Sequence, residues 1–150
     1  MAYAEQTSVS VDRSRTEIER ILERYGADAF MYGTDQGKAV IQFRAENRLL
    51  KFVIRYPAQT EVALTPTGRP KRDQDAAHQQ ERRRLWRALA LYIKAKLEAV
   101  ESGIVLFDEV FMPHIVLPDG DTMAEKYVPQ IAQAYSDGKV PLALPGLRED

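Results

Sequence analysis

The stretch KAVIQFRAENRLLKFVIRY (Lys38 to Tyr56) decides the fold. Apolar and polar residues alternate twice, with Glu46-Asn47 between the two runs. A period of two puts side chains on opposite faces of a strand. One face carries Ala39, Ile41 and Phe43, then Leu50, Phe52, Ile54 and Tyr56. The other carries Lys38, Val40, Gln42 and Arg44, then Leu49, Lys51, Val53 and Arg55. The pattern predicts a hairpin with an apolar inner face and a mixed apolar and basic outer face. Upstream, ADAFMYGT followed by Asp35-Gln36-Gly37 adds a third strand ahead of a turn. Pro57 ends the run.

Helices flank this meander. Ile18, Ile21, Leu22 and Tyr25 have helical spacing, and Gly26 stands where a left-handed cap is wanted. Ser14 and Glu17 have capping-box spacing, which predicts a first helix over about 15–25. TSVSV (Thr7 to Val11) alternates as a short strand would. A long helix is expected from about Asp73 to Ser102, with Leu85, Leu89, Ile93, Leu97 and Val100 as its buried stripe and Trp86 and Tyr92 widening it. GIVLFDEVF and HIVLPDGD read as extended segments. Thr122 and Glu125 repeat the capping spacing before a helix that Pro129 should kink and Gly138 should end. TEVALT is a candidate short strand. The leucines of VPLALPGL are expected to lie extended over the core. The resulting class is α+β, one domain over 1–150: a small antiparallel sheet of three to five strands on a short N-terminal and a long central helix, closed by a C-terminal helix and Leu/Pro tail.

The chain has 150 residues, no cysteine and a formal net charge of −1. The missing thiols exclude disulfides, zinc-thiolate centres and cysteine nucleophiles. No apolar run approaches the ~20 residues of a membrane helix, and the N-terminus lacks signal-peptide character. A soluble cytoplasmic protein without membrane contact is expected. The net charge conceals a gradient: residues 1–68 balance, 69–97 carry nine cations against three acids, and 98–150 carry three against ten.

The basic segment holds the candidate nucleic-acid-binding set. Arg69, Lys71 and Arg72 precede the long helix, and Arg83, Arg84 and Arg87 lie in its early turns, beside Arg82. Lys51 and Arg55 extend the set if the helix crosses near the sheet. Several cations on one surface, with a ring such as Tyr32, Trp86 or Tyr92 nearby, suit a phosphate backbone. A solvated helix with internal ion pairs is the competing account.

Other chemistry is thin. Asp108, Glu109, His114, Asp119, Asp121 and Glu125 lie close together in sequence, but without the spacing of a metal-dependent nuclease. Asp119-Gly120 reads as a turn. His78 and His114 lack a nucleophile or acid at triad spacing, and Ser14 and Ser102 read as helix-end residues. TPTGRPKR is not a Walker loop, because it lacks the closing Gly-Lys-Ser/Thr. No catalytic residue, metal or cofactor is implied.

The block LWRALALYIKAKLEAVESGIVLFDEVFMPHIVLPDGDTM (Leu85 to Met123), with PLALPGL, resembles a group of small tailed-phage and prophage proteins without an assigned activity. The likeness extends back through RLLKFVIRYP, over about residues 48–147. It implies a phage-encoded protein acting in the host cytoplasm and carries no site residue. The functional expectation is a non-enzymatic nucleic-acid-binding accessory protein. The alternative is a protein-binding inhibitor or adaptor aimed at a host factor, with a metal-dependent nuclease as third choice. The half-apolar sheet face and long helix also suit a homo-oligomer.

Overall fold

The computed structural model describes residues 7–58 and 74–140. Helix α1 (Val11–Tyr25) leads into strands β1 (Asp28–Asp35), β2 (Lys38–Ala45) and β3 (Arg48–Arg55). The long helix α2 (Gln74–Glu101) follows, then a short helix α3 (Phe107–Phe111), a 3-10 turn (Met112–His114) and helix α4 (Met123–Asp137). The strands form one antiparallel sheet in the order β1-β2-β3. The fold is α+β, and no helix among the described residues is long and apolar enough to cross a membrane.

Strand alternation sets the layers. Ala39, Ile41, Phe43, Leu50, Phe52 and Ile54 are buried beneath Ile18 and Leu22 of α1 and Trp86, Ala90, Ile93 and Leu97 of α2. Glu46 and Asn47 both take positive φ (51° and 59°), the two-residue turn whose twist matches a hairpin. Asp28 and Met31 flank a register shift in β1, where Ala29 has φ 53°. The Arg44 guanidinium closes that bulge by donating two bonds to Asp28, at 2.9 and 3.0 Å.

The start of α1 corrects the expected cap. The helix begins at Val11, so Thr7 to Ser10 precede it as irregular chain and form no strand. The Ser10 hydroxyl accepts the Arg13 N–H at 3.2 Å. Ser14 lies one turn inside, fully buried, and its hydroxyl has no partner. A cap satisfies a free helix donor, whereas a buried unpaired hydroxyl only loses its hydration. Ser10→Ala should therefore lower stability by about 1 kcal/mol. Ser14→Ala should leave stability unchanged or raise it by about 1 kcal/mol. Urea midpoints of the two variants test this, and equal losses would refute it.

Residues 107–114 correct a second expectation, because they are helical where extended chain was read. Glu109 Oε1 accepts the Leu106 N–H at 3.0 Å and so starts the turn. Phe107 and Phe111, four residues apart, then face one way and are both buried. Their rings are 4.6 Å apart, and Phe107 stacks on Tyr25 at 5.9 Å. Only single bridges remain of the extended reading, Leu50 with Ile115 and Val116 with Thr122.

Helix α4 starts as expected, with Thr122 Oγ1 accepting from Glu125 N–H at 3.2 Å. It runs as one helix through Pro129. It buries none of its residues, and Val128, Ile131 and Tyr135 are exposed. The expected TEVALT strand and leucine-bearing tail lie outside the described residues.

His114 links this region to the core. Its ring stacks on Phe52 at 4.2 Å, and its Nε2 is 2.9 Å from the Tyr92 hydroxyl. Burial, helped by the Lys96 ammonium, pushes its pKa down to about 4. The native ring stays neutral where an unfolded histidine, titrating near 6.5, binds a proton. Stability is therefore whole above pH 6.5 and falls as pH drops towards 4. With solvent reaching the half-buried ring, the loss is on the order of 1–2 kcal/mol. His114→Phe keeps the stacked ring and should flatten the stability profile between pH 6.5 and 4. An unchanged profile in that variant would be contrary to the assignment.

Candidate nucleic-acid interface

The structure pairs most of the described cations that the sequence singled out. Arg84 is paired with Glu81, one turn earlier, at 2.5 Å. Arg87 reaches across to Glu17 on α1. Lys51 lies 3.7 Å from Glu125, at the start of α4. Arg83 donates two bonds to the Gln80 side-chain carbonyl, at 3.0 and 2.7 Å. Arg55 is exposed at the end of β3, on the outer face of the sheet, and α2 packs on the inner face. These residues are therefore not gathered on one open surface. Arg69, Lys71 and Arg72 lie outside the described residues.

The proposed rings are engaged as well. Trp86 is buried and donates its indole N–H to the Tyr56 hydroxyl at 2.7 Å. Tyr32 lies 5.6 Å from Trp86, and the Arg15 guanidinium sits 4.6 Å over it. Arg82 covers Tyr56 at 4.3 Å. Tyr92 carries the Lys96 ammonium at 4.2 Å. The three tyrosines thus each hold a cation over one face already.

A different set of cations is open. Between α1 and α2 runs a groove of about 710 Å³, lined by Asp12, Arg13, Thr16, Glu17, Arg20, Ile21, Arg24 and Lys94. Its origin is helical geometry. Positions 13, 17, 20 and 24 fall on one side of α1, while Ile18 and Leu22 turn into the core. The α1 wall therefore presents Arg13, Arg20 and Arg24 over about 16 Å of helix. Lys94 faces them from α2. All four are exposed, and none forms an ion pair among the described residues.

The acids around this groove are unevenly placed. Glu17 is taken by Arg87, and Asp12 lies 3.5 Å from Arg15. Glu98 and Glu101 line an adjoining pocket beyond Arg24 and Lys94. The positive stretch therefore runs from Arg13 to Arg24 and ends in an acidic border. Among the described residues, no aromatic side chain lines the groove. Segment totals missed it, because α1 mixes arginine and glutamate and sums to nearly nothing. Arg20 and Arg24 could have been read together on the helix assigned to 15–25, whereas Arg13 joins them only because the helix starts at Val11.

The acidic segment is engaged differently. Lys126 pairs with Asp119 and lies 3.5 Å from Asp121. Its hydrogen bond holds the Asp119 carboxyl below the usual range. Asp108 pairs with Arg48 at 3.0 Å. Among the described residues, no three His, Asp or Glu side chains converge to hold a metal ion. His78 lies in the second turn of α2. A scan against protein-family models finds no match to this chain, and searches of curated proteins and of solved structures find none either.

Proposed function

We propose that this chain is a non-enzymatic nucleic-acid-binding accessory protein that holds a duplex backbone along the α1–α2 groove. The observation that carries the reading is the set of four exposed cations on one groove, Arg13, Arg20, Arg24 and Lys94, which form no ion pair among the described residues. Phosphates are the ligand such a set suits, since each contact releases condensed counterions. Among the described residues the groove has no ring for base stacking, so contact is with backbone and is indifferent to sequence. A duplex fits this better than a single strand, whose unstacked bases require such rings. A phage origin and a setting in the host cytoplasm are part of this proposal.

The test is affinity for a short duplex across a salt series. Four phosphate contacts give a slope of log K against log salt near about −3.6, or roughly a hundredfold loss between 50 and 200 mM. Binding that ignores salt would overturn the proposal.

A second reading, a protein-binding adaptor aimed at a host factor, rests on α4. Val128, Ile131 and Tyr135 repeat at helical spacing and face solvent. That reading predicts a stoichiometric protein partner that survives nuclease treatment and is lost in Ile131→Lys.

A further inference from the structure

Residues 112–137 are tied to one another more firmly than to the rest of the fold. The Ile115 carbonyl accepts the Met123 N–H at 2.9 Å, and the Asp121 carbonyl accepts the Leu117 N–H at 2.8 Å. Val116 bridges Thr122, and Lys126 pairs with Asp119. Helix α4 packs on the 3-10 turn and buries none of its residues. A helix without buried apolar surface contributes little to its own docking and belongs to the part of a fold that opens first.

The seam between this unit and the body is narrow. The Val116 N–H donates to the Leu49 carbonyl at 2.8 Å, where Ile115 bridges Leu50. Lys51 lies 3.7 Å from Glu125, a pair that solvent screens. The remaining tie is aromatic. The His114 ring stacks on Phe52 at 4.2 Å and meets Tyr92 edge-on at 5.7 Å. Phe52 in turn meets Phe111 at 6.5 Å.

That seat suits a neutral ring. From α2 it is faced by the Tyr92 hydroxyl, 2.9 Å from Nε2, and by the Lys96 ammonium, which sits 4.2 Å over Tyr92 and 6.0 Å from the Phe111 ring. β3 supplies Phe52 and α3 supplies Phe111, neither of which ionises. His114 forms no ion pair among the described residues. A neutral Nε2 accepts the Tyr92 O–H. A proton on Nε2 removes that acceptor and adds a second cation near Lys96 in a half-buried place.

We infer that residues 112–137 form a unit that opens from the sheet in acid as one body, with the His114 ring as its latch. The sheet, α1 and α2 stay folded, because the core that joins them contains no histidine. Opening uncovers Phe52 and Phe111 and frees the β3 edge at Leu49, so the acid form presents an apolar surface that the neutral form hides. Burial and Lys96 hold the closed ring's pKa at about 4. An opened ring titrates near 6.5. Closure is therefore complete above pH 6.5 and weakens as pH falls towards 4. The α1–α2 groove has no residue in this unit, so the inference stands apart from the nucleic-acid reading.

The test is native-state hydrogen exchange of the full chain, read by NMR at about pH 6.5 and 4.5. The Val116 amide reports the seam, the amides of β2 report the core, and the fluorescence of the single tryptophan, Trp86, confirms that the core stays folded. Protection of Val116 should fall by about tenfold or more between the two pH values, and that of β2 by less. His114→Phe should make Val116 protection independent of pH. Lys96→Met, which leaves the ring in place, should shrink the fall. A Val116 amide already unprotected at the higher pH, a fall shared equally with β2, or an unchanged fall in either variant would overturn the inference.

Discussion

Trp86→Ala should unfold the domain or lower its stability by about 3–5 kcal/mol. Total stabilities of such domains are only about 5–15 kcal/mol, so this is a large share. Trp86 is the largest fully buried side chain and lies where α2 meets the sheet. Its loss removes packing against the Tyr32 ring at 5.6 Å and leaves a cavity that the strands cannot close. It also removes the 2.7 Å bond that ties the indole to Tyr56. Tyr56→Phe separates the two effects: it keeps the ring under Arg82 but leaves the indole N–H unpaired, costing about 1–3 kcal/mol. Guanidinium unfolding of both variants checks the order. A Trp86→Ala midpoint equal to wild type would mean that α2 is not docked through this residue.

Arg20→Glu with Arg24→Glu should weaken duplex binding by on the order of a hundredfold at low salt and flatten the salt slope by about 1.8. Both side chains are exposed, so the double variant should stay folded. The change removes two phosphate contacts and adds two like charges against the polyanion. Arg84→Gln is the informative comparison. Its guanidinium is held by Glu81 in the free protein, so its removal should alter affinity little. The opposite ranking, with Arg84 dominant and the α1 pair silent, would move the interface back to the start of α2. The two predictions are independent, since one concerns the core between α2 and the sheet and the other its solvent side.

How much was legible in the sequence varies with the range of the interaction. The two strand faces could be read because alternation is a property of each strand alone, and buried Ala39, Ile41 and Phe43 match it. The turn at Glu46-Asn47 was equally local. Helix α1 was legible in its stripe but not in its start, because Ser10 and Ser14 both offer a hydroxyl. Only packing shows that Ser14 points into the core. Residues 107–111 were read as extended because five residues are too short for a period to declare itself. Tyr25 and Phe52, distant in sequence, provide the surfaces that hold Phe107 and Phe111.

Charge was the least legible property. A count along the chain gathers Arg83, Arg84 and Arg87 into a patch, yet Arg87 is neutralised by Glu17, seventy residues away. The same count cancels Arg13, Arg20 and Arg24 against acids of the same helix, of which Asp12 and Glu17 pair with other arginines, Arg15 and Arg87. By itself the sequence determined the α+β class, the meander and its two faces, because those follow from the covalent period of the backbone. Which cations stay open to solvent was decided only by tertiary structure. An ion pair forms wherever folding brings opposite charges within a few ångströms, and no local pattern encodes that distance.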